Sequence, residues 1–303
     1  MDLRSVECFV AVADLLHFGR AASSLHLSQP ALSGRIRSLE TEVGVRLLDR
    51  DRRSVALTEA GRAFLPAARE TLAAAHAAST AARRTARGES GQLRLGFTVI
   101  AFHTSLPRGV QQYRAQYPDV VVDLVERNSP ALEEALVSGE IDLAILHPPL
   151  RQPGLVVQEL PAEQLVLAFP ETHPLADRAV LTFADLDREP LLAAPRAIGP
   201  ALYDRLMAAF AQAGAVAQVV QEVTPMTTLT GLVAAGSGIG FVTQGIANAR
   251  RPGVTFTAVR GAPDLPLAAA WLSPDPLPSA NNFLAIARRV LTDRSAEASA
   301  SRA

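Results

Sequence analysis

The stretch Leu25-His26-Leu27-Ser28-Gln29-Pro30-Ala31-Leu32-Ser33-Gly34-Arg35-Ile36-Arg37-Ser38-Leu39-Glu40-Thr41-Glu42-Val43-Gly44 decides how the N-terminal part of this chain folds. Ser28 is a good N-cap, and Pro30 falls in the first helical turn, where its missing N–H removes nothing. Leu32, Ile36, Leu39 and Val43 recur at three- and four-residue steps, so the spacing predicts a helix over 29–43 with one buried stripe. Gly44 is suited to a left-handed C-cap. Upstream, Leu3, Val6, Phe9, Val10 and Ala13 outline one face of another helix, and Ala21, Ala22 and Leu25 the inner side of a short helix over 20–25 that Gly19 opens. Two short helices joined by the turn His26-Leu27-Ser28 form a helix-turn-helix, whose second helix enters the DNA major groove by its N-terminal end.

The outward residues of that helix suit the task. Gln29, Ser33 and Arg37 lie at four-residue steps, with Arg35 beside them. Gln pairs bidentately with adenine and Arg with guanine, while a serine hydroxyl can bond a phosphate oxygen. An ordinary solvated helix face would show a similar stripe, and the next segment separates the two readings. Leu47–Thr58 reads as two short strands joined by an Arg-rich tip, a wing whose Arg50, Arg52 and Arg53 would follow the backbone or enter the minor groove. Arg20, Ser28 and Pro30 complete the expected DNA-contacting set.

Composition agrees with a partner confined to one end. The chain has 303 residues, 49% hydrophobic, with a formal net charge of −1. Residues 1–90 carry 13 Arg against 10 acidic residues, whereas the remainder is net acidic. There is no lysine, so any anion site uses a guanidinium fork. The single cysteine, Cys8, lies in an apolar run and reads as a core residue. The N-terminus lacks the pattern of a secretory signal, and no apolar run approaches the ~20 residues that span a bilayer. The expectation is a cytoplasmic protein of two or three domains with no membrane partner.

The chain resembles the LysR-type transcriptional regulators. The residues that carry the resemblance are Phe9-Val10-Ala11-Val12-Ala13, Ala21-Ala22, Leu25–Ser33, Ile36-Arg37-Ser38-Leu39-Glu40, Gly44–Arg50 and Leu57-Thr58-Glu59-Ala60-Gly61. Members of that family usually have a basic or polar residue where this chain has Gly34. From Thr58, a plausible N-cap, an Ala-rich helix is expected to run to Arg87 and end at Gly88, with Phe64, Ala68, Leu72, Ala75 and Ala78 as a narrow apolar strip. The resemblance makes this helix a dimerisation arm. It implies a homodimer and further a homotetramer on a dyad-symmetric promoter site, with RNA polymerase as another candidate partner.

Beyond residue 91 strand and helix patterns alternate, which indicates an α/β domain with a mainly parallel sheet. Strands are expected over 93–97, 120–125, 141–146, 154–160, 164–169, 190–193, 218–223, 239–242, 254–259 and 267–272. Helices are expected over 106–117, 130–138, 200–213, 227–235 and 281–292, and disorder over the last ten residues. Two α/β lobes joined by paired crossover strands resemble the type II periplasmic binding fold, the effector domain of LysR-type regulators. The expected division is 1–58 for the winged helix-turn-helix, 59–88 for the linker helix and 89–303 for the effector domain. Lobe I would hold about 91–161 plus 267–293, and lobe II about 162–266.

Ligands in open α/β sheets bind at the C-terminal ends of strands. That rule selects Thr98, Val99 and Ile100, then Asn128 and Ser129, then His147, and in lobe II Arg196, Pro200, Thr227 and Thr243. Hydroxyls and backbone N–H groups at helix starts suit an anion, so Thr98, Ser129, His147 and Thr227 are expected to line a pocket for a small organic acid. Position 147 often carries a charged carboxylate ligand in family members that sense aromatic acids; here it is His.

Gly236-Ser237-Gly238-Ile239-Gly240 follows a helix and precedes a strand, the reverse of a dinucleotide fingerprint, and is read as a turn. The six His have no metal-ligand spacing, and no Gly-x-Ser-x-Gly elbow is present. No catalytic set, metal site or cofactor is expected. The sequence reading is a DNA-binding regulator controlled by a small-molecule effector, and not an enzyme. The alternative is a cytoplasmic solute-binding protein without a DNA-directed role.

Overall fold

The computed structural model describes residues 1–51, 54–272 and 274–300, with side chains described throughout except at 50, 51, 54 and 294–300. The chain forms two compact units, Met1–Arg84 and Thr85–Ala303.

In the first unit, α1 (Leu3–Leu15) is capped by Asp2, whose carboxylate accepts the Ser5 N–H at 2.8 Å. Helix α2 (Phe18–Ser24) starts two residues before the expected position, because the His17 ring nitrogen accepts the Arg20 N–H and caps the helix there. Helix α3 (Gln29–Val43) has the expected bounds. The Ser28 hydroxyl accepts the Ala31 N–H, and Gly44 sits at φ +80° as the left-handed cap. Phe9, Val12, Ala21, Leu32, Ile36 and Leu39 pack into one core. Leu3 and Val43 depart from the expected stripes, at 49% and 36% exposed. Each lies at a helix end, where the neighbouring helices no longer cover it.

The wing strands are β1 (Leu48–Asp51) and β2 (Ser54–Leu57), antiparallel with Leu48 opposite Leu57. Helix α4 (Glu59–Ala86) follows, and the Thr58 hydroxyl accepts the Gly61 N–H at 2.9 Å. Three elements converge on Leu47. Its N–H donates to the Glu40 carboxylate of α3, and its carbonyl accepts the Thr58 N–H. A Cβ at Gly61 would lie 2.0 Å from that carbonyl oxygen.

The second unit contains two mixed sheets. The first has the order β4-β3-β5-β13-β6, from β3 (Ser90–Phe97), β4 (Asp119–Glu126), β5 (Leu143–Leu146), β6 (Val156–Glu163) and β13 (Leu265–Trp271). The second has the order β10-β9-β11-β7-β12-β8, from β7 (Leu165–Pro170), β8 (Val180–Thr182), β9 (Pro190–Ala193), β10 (Gln218–Glu222), β11 (Ile239–Thr243) and β12 (Val254–Arg260). The expectation of mainly parallel pairing needs correction. β7 and β13 enter their sheets antiparallel to the neighbours on both sides, as strands arriving from the other sheet must.

Helices α5 (Val99–Phe102), α6 (Leu106–Gln116) and α7 (Ser129–Val137) follow strands of the first sheet, and α8 (Pro200–Gln212), α9 (Met226–Ala234) and α10 (Gln244–Asn248) belong to the second. Helix α11 (Pro278–Ala300) returns to the first sheet, burying Phe283, Ile286, Ala287 and Val290 in its core. It continues past Thr292 into the tail expected to be disordered; that tail is rich in alanine, a strong helix former. Residues 301–303 lie outside the described residues. Two short helices, α5 and α10, and strand β8 were absent from the sequence expectation.

Gly61→Ala should destabilise the first unit by roughly 1–3 kcal/mol, since the added methyl must displace backbone rather than a side-chain tip. Thermal or urea unfolding checks this, and a change below ~0.5 kcal/mol would show that α4 can shift freely from Leu47.

Candidate functional site

The α3 face carries the residues selected for DNA. Gln29, Pro30, Arg35 and Arg37 are exposed and Ser33 is half-buried. Their side chains are differently committed. Arg37 Nε donates back to the Ser33 carbonyl at 3.3 Å, which lays the guanidinium along the helix. Arg35 is 3.9 Å from the Asp2 carboxylate, a long, solvent-screened pair. Ser28 is occupied as the cap, and Arg20 is exposed on α2. Gly34 is exposed, with nothing beyond its own helix backbone within 4 Å of where a Cβ would stand. The Arg50 backbone lies in β1 opposite Val55. Its side chain, and Arg52 and Arg53 entirely, lie outside the described residues. Cys8 is buried, and burial pushes its thiol pKa up, away from reactivity.

In the second unit, the strand-end residues do not converge on one place. Ser129, His147 and Pro200 line one void, about 450 Å³ counting the open solvent at its mouth, where the first sheet's elements meet the start of α8. Thr227 instead lines a wider, more open recess with Thr230, Arg250, Arg251 and Phe256. Thr98 and Thr243 are buried at helix starts. The Thr98 hydroxyl accepts the Ala101 N–H, and Ile100 reaches the cores built on the second sheet. Asn128 caps α7 by accepting the Ala131 N–H at 3.0 Å. Arg196 is exposed and paired with Asp204 through two bonds of 2.7 and 2.8 Å. That pairing commits its fork to the start of α8.

The void has members that periodicity did not select. Glu133 is buried and accepts the backbone N–H groups of Arg151 and Gln152 at 2.6 and 2.8 Å. In the sequence it reads as one more charged helix residue; only the fold brings the 151–152 turn against it. The Arg151 guanidinium reaches the Ala197 carbonyl at 3.4 Å, from one lobe to the other. Gly199 precedes α8 and offers no capping side chain. His147 Nδ1 lies 2.8 Å from the Pro266 carbonyl, and its backbone N–H donates to the Ser129 hydroxyl. Burial pushes the ring pKa down to about 4, the Pro266 bond opposing only in part. Among the described residues no cluster of three or more His, Cys, Asp or Glu could hold a metal ion. Likewise, no described helix is long and apolar enough to cross a membrane.

His147 sets an acid limb to stability. Its folded pKa is depressed below the unfolded value of 6.5, so as pH falls below 6.5 the unfolded chain takes the proton first and the folded state loses ground. The loss saturates below about pH 4 and amounts to roughly 2 kcal/mol near pH 5. The drop in melting temperature between pH 7.5 and 5 should therefore be smaller in His147→Leu than in wild type; equal drops would place the acid limb elsewhere.

Residues 3–62 match the bacterial regulatory helix-turn-helix protein, lysR family, and residues 86–292 match the LysR substrate binding domain. The HTH-type transcriptional regulator AlsR of Bacillus subtilis is 42% identical over 242 residues, 80% of each chain. The crystal structure of CbnR, a LysR family transcriptional regulator, superposes with a TM-score of 0.82 at 28% identity, covering 95% of this chain and 100% of CbnR. Full-length CbnR complexed with its target DNA gives 0.76 at 27% identity, over 96% and 100% of the two chains. Two family matches in tandem, and a solved relative aligned along nearly the whole chain, make the same assignment: the chain belongs to the LysR family of bacterial helix-turn-helix regulators.

Proposed function

We propose that this protein is a cytoplasmic transcription regulator that reads promoter DNA through α3 and the wing and is controlled by a small organic acid held between the lobes of its second unit. The observation that carries the DNA reading is the α3 face itself. Gln29 and Arg37 are solvent-exposed on a helix whose other side is pinned in the core by Leu32, Ile36 and Leu39. Such a helix keeps its backbone fixed while the exposed side chains turn to the bases, Arg37 leaving the Ser33 carbonyl to do so, which suits base readout in a major groove. Ser28, Pro30, Ser33, Arg35 and Arg20 border the same helix start and serve backbone contacts, as do the wing arginines. CbnR, aligned along its full length, is a relative solved on its target DNA.

The α4 surface supports self-association. Beyond Leu72 its Ala-rich residues are mostly exposed, and an isolated helix of this kind is marginal in water without a packing partner. Pairing through α4 gives a homodimer with two heads for a dyad-symmetric site, and two such dimers a homotetramer. The functional division is then 1–58 for DNA, 59–88 for pairing and 89–303 for sensing. No catalytic role is assigned. A solute-binding protein without a DNA role leaves the N-terminal unit without a task and is not favoured.

An electrophoretic mobility shift with the promoter region beside its own gene tests the reading. Preference for that fragment over random duplex at physiological salt is expected, and its absence there and at low salt overturns it. Arg37→Ala should cost about 1–3 kcal/mol on the preferred site and relax discrimination. Gly34→Arg should tighten binding to all sequences and steepen the salt dependence by about one unit of slope. Fluorescence anisotropy across a salt series measures both, and an unchanged slope would show that position 34 faces away from DNA.

A further inference from the structure

His147, one of the residues lining the void between the lobes, carries a hydrogen-bond acceptor with nothing to accept from. His147 Nδ1 faces the Pro266 carbonyl at 2.8 Å. A carbonyl oxygen only accepts, so Nδ1 carries the ring proton. Nε2 is then a bare lone pair, and it is fully enclosed with no hydrogen-bond partner. Burial keeps the ring neutral, so Nε2 does not escape by taking a proton. On the other side of the void, α8 begins behind Gly199 with no side-chain cap. The N–H groups of Ala201 and Leu202 have no hydrogen-bond partner among the described residues, and a helix start of this kind favours an anion. Residues lining the same void are thus short of a donor at one place and of an acceptor at another.

We propose that this void takes a compact hydroxycarboxylate, its carboxylate on the Ala201 and Leu202 N–H groups and its hydroxyl donating to His147 Nε2. The proposal rests on the reading of the cleft as the effector site and names the chemistry that site selects. A plain carboxylic acid satisfies only the helix start. A carboxylate turned towards His147 would set lone pair against lone pair. Glu133 accepts the Arg151 and Gln152 amides on Oε2, which offsets part of its charge at the recess. The Arg151 guanidinium at the rim supplies countercharge. Pro130, Pro148, Pro149 and Leu265 wall the recess closely, which favours a compact ligand. Since Nε2 is enclosed, the hydroxyl reaches it only as the lobes part and close again. The bond is made in the closed state and favours that state over the open one.

Isothermal titration of the full-length protein at neutral pH tests this with lactate, glycerate and 3-hydroxybutyrate against propionate, butyrate and 2-methoxypropionate. At least one hydroxy acid should bind about 10- to 100-fold more tightly than its counterpart without a hydroxyl, the range expected when a buried unmet acceptor gains a donor. In His147→Leu that preference should fall below about threefold. The methyl ether asks the same question of wild-type protein should the variant not fold. Gly199→Asp, which places a capping carboxylate at the start of α8, should remove binding of both series without lowering the melting temperature. Equal affinities with and without the hydroxyl, still abolished by Gly199→Asp, overturn the hydroxyl requirement and leave the cleft reading intact. No binding by any acid, or binding indifferent to both substitutions, overturns the cleft reading and this proposal together.

Discussion

The second unit is governed by the fact that its chain passes between the two sheets twice, and that the passing strands are partners on both sides. β6 and β13 pair antiparallel in the first sheet, β7 and β12 in the second. The outward step occurs at Gln164 between β6 and β7, and the return between Arg260 and Leu265. Two adjacent, hydrogen-bonded crossings resist sliding and lateral shear but leave bending about their line as the soft motion. The residues of the candidate cleft come from both sides of that line. His147 follows β5 in one lobe, α8 starts in the other, and Pro266, the partner of His147, lies on the returning strand itself. A change in the angle between the lobes therefore alters the void directly. That is the structural requirement for a ligand to act through differential affinity for two states rather than by contact alone.

The first unit solves a different problem, which is to hold one helix rigid while leaving one of its sides empty. α3 buries Leu32, Ile36 and Leu39, and at its C-terminal half Glu40 spends its carboxylate on the N–H groups of Leu47 and Leu48. Those amides open the wing, so helix and wing are joined through one side chain. The Leu47 carbonyl then receives Thr58, the cap of α4, and the absent Gly61 side chain lets α4 approach that same peptide. Recognition helix, wing and arm meet at a single backbone position, and each fixes the other two. The N-terminal half of α3 takes no part in this junction, which is why Gln29, Pro30 and Ala31 stay exposed.

How much of this was legible in the sequence depends on the range of the interaction involved. α3 had its bounds readable to the residue because Ser28, Pro30, three spaced aliphatics and Gly44 all act within a few positions of one another. α2 was misplaced by two residues because its cap is a histidine, a residue type that capping statistics do not lead one to expect. The alternation of strand and helix was legible, whereas the pairing sense was not: β7 and β13 look like any other apolar run, and only their arrival from the other sheet makes them antiparallel. In the candidate cleft, Ser129, His147 and Pro200 could be selected as strand-end or helix-start residues. Glu133 and Arg151 could not, because their partners are backbone groups brought together by the fold. Thr227 obeys the same local rule as Ser129 yet faces another recess, since the rule fixes which end of a sheet a residue occupies and not which side of it.

The electrostatic character of the cleft follows from how few of its charges remain uncommitted. Glu133 accepts two amide donors on one oxygen, Oε2, and Arg196 is matched by Asp204. What is left is the guanidinium of Arg151, held to a carbonyl rather than to an acid, and the uncapped start of α8. Both favour an anion, and neither needs help from residue 147. A cation at 147 would be desolvated against Pro266, Leu265 and the prolines beside it, at a cost that the existing positive sites make unnecessary. A neutral imidazole avoids that cost and adds a directional acceptor, which a cation cannot supply. A neutral His147 therefore leaves any preference for a negative charge to Arg151 and the start of α8, and itself offers a hydrogen-bond acceptor.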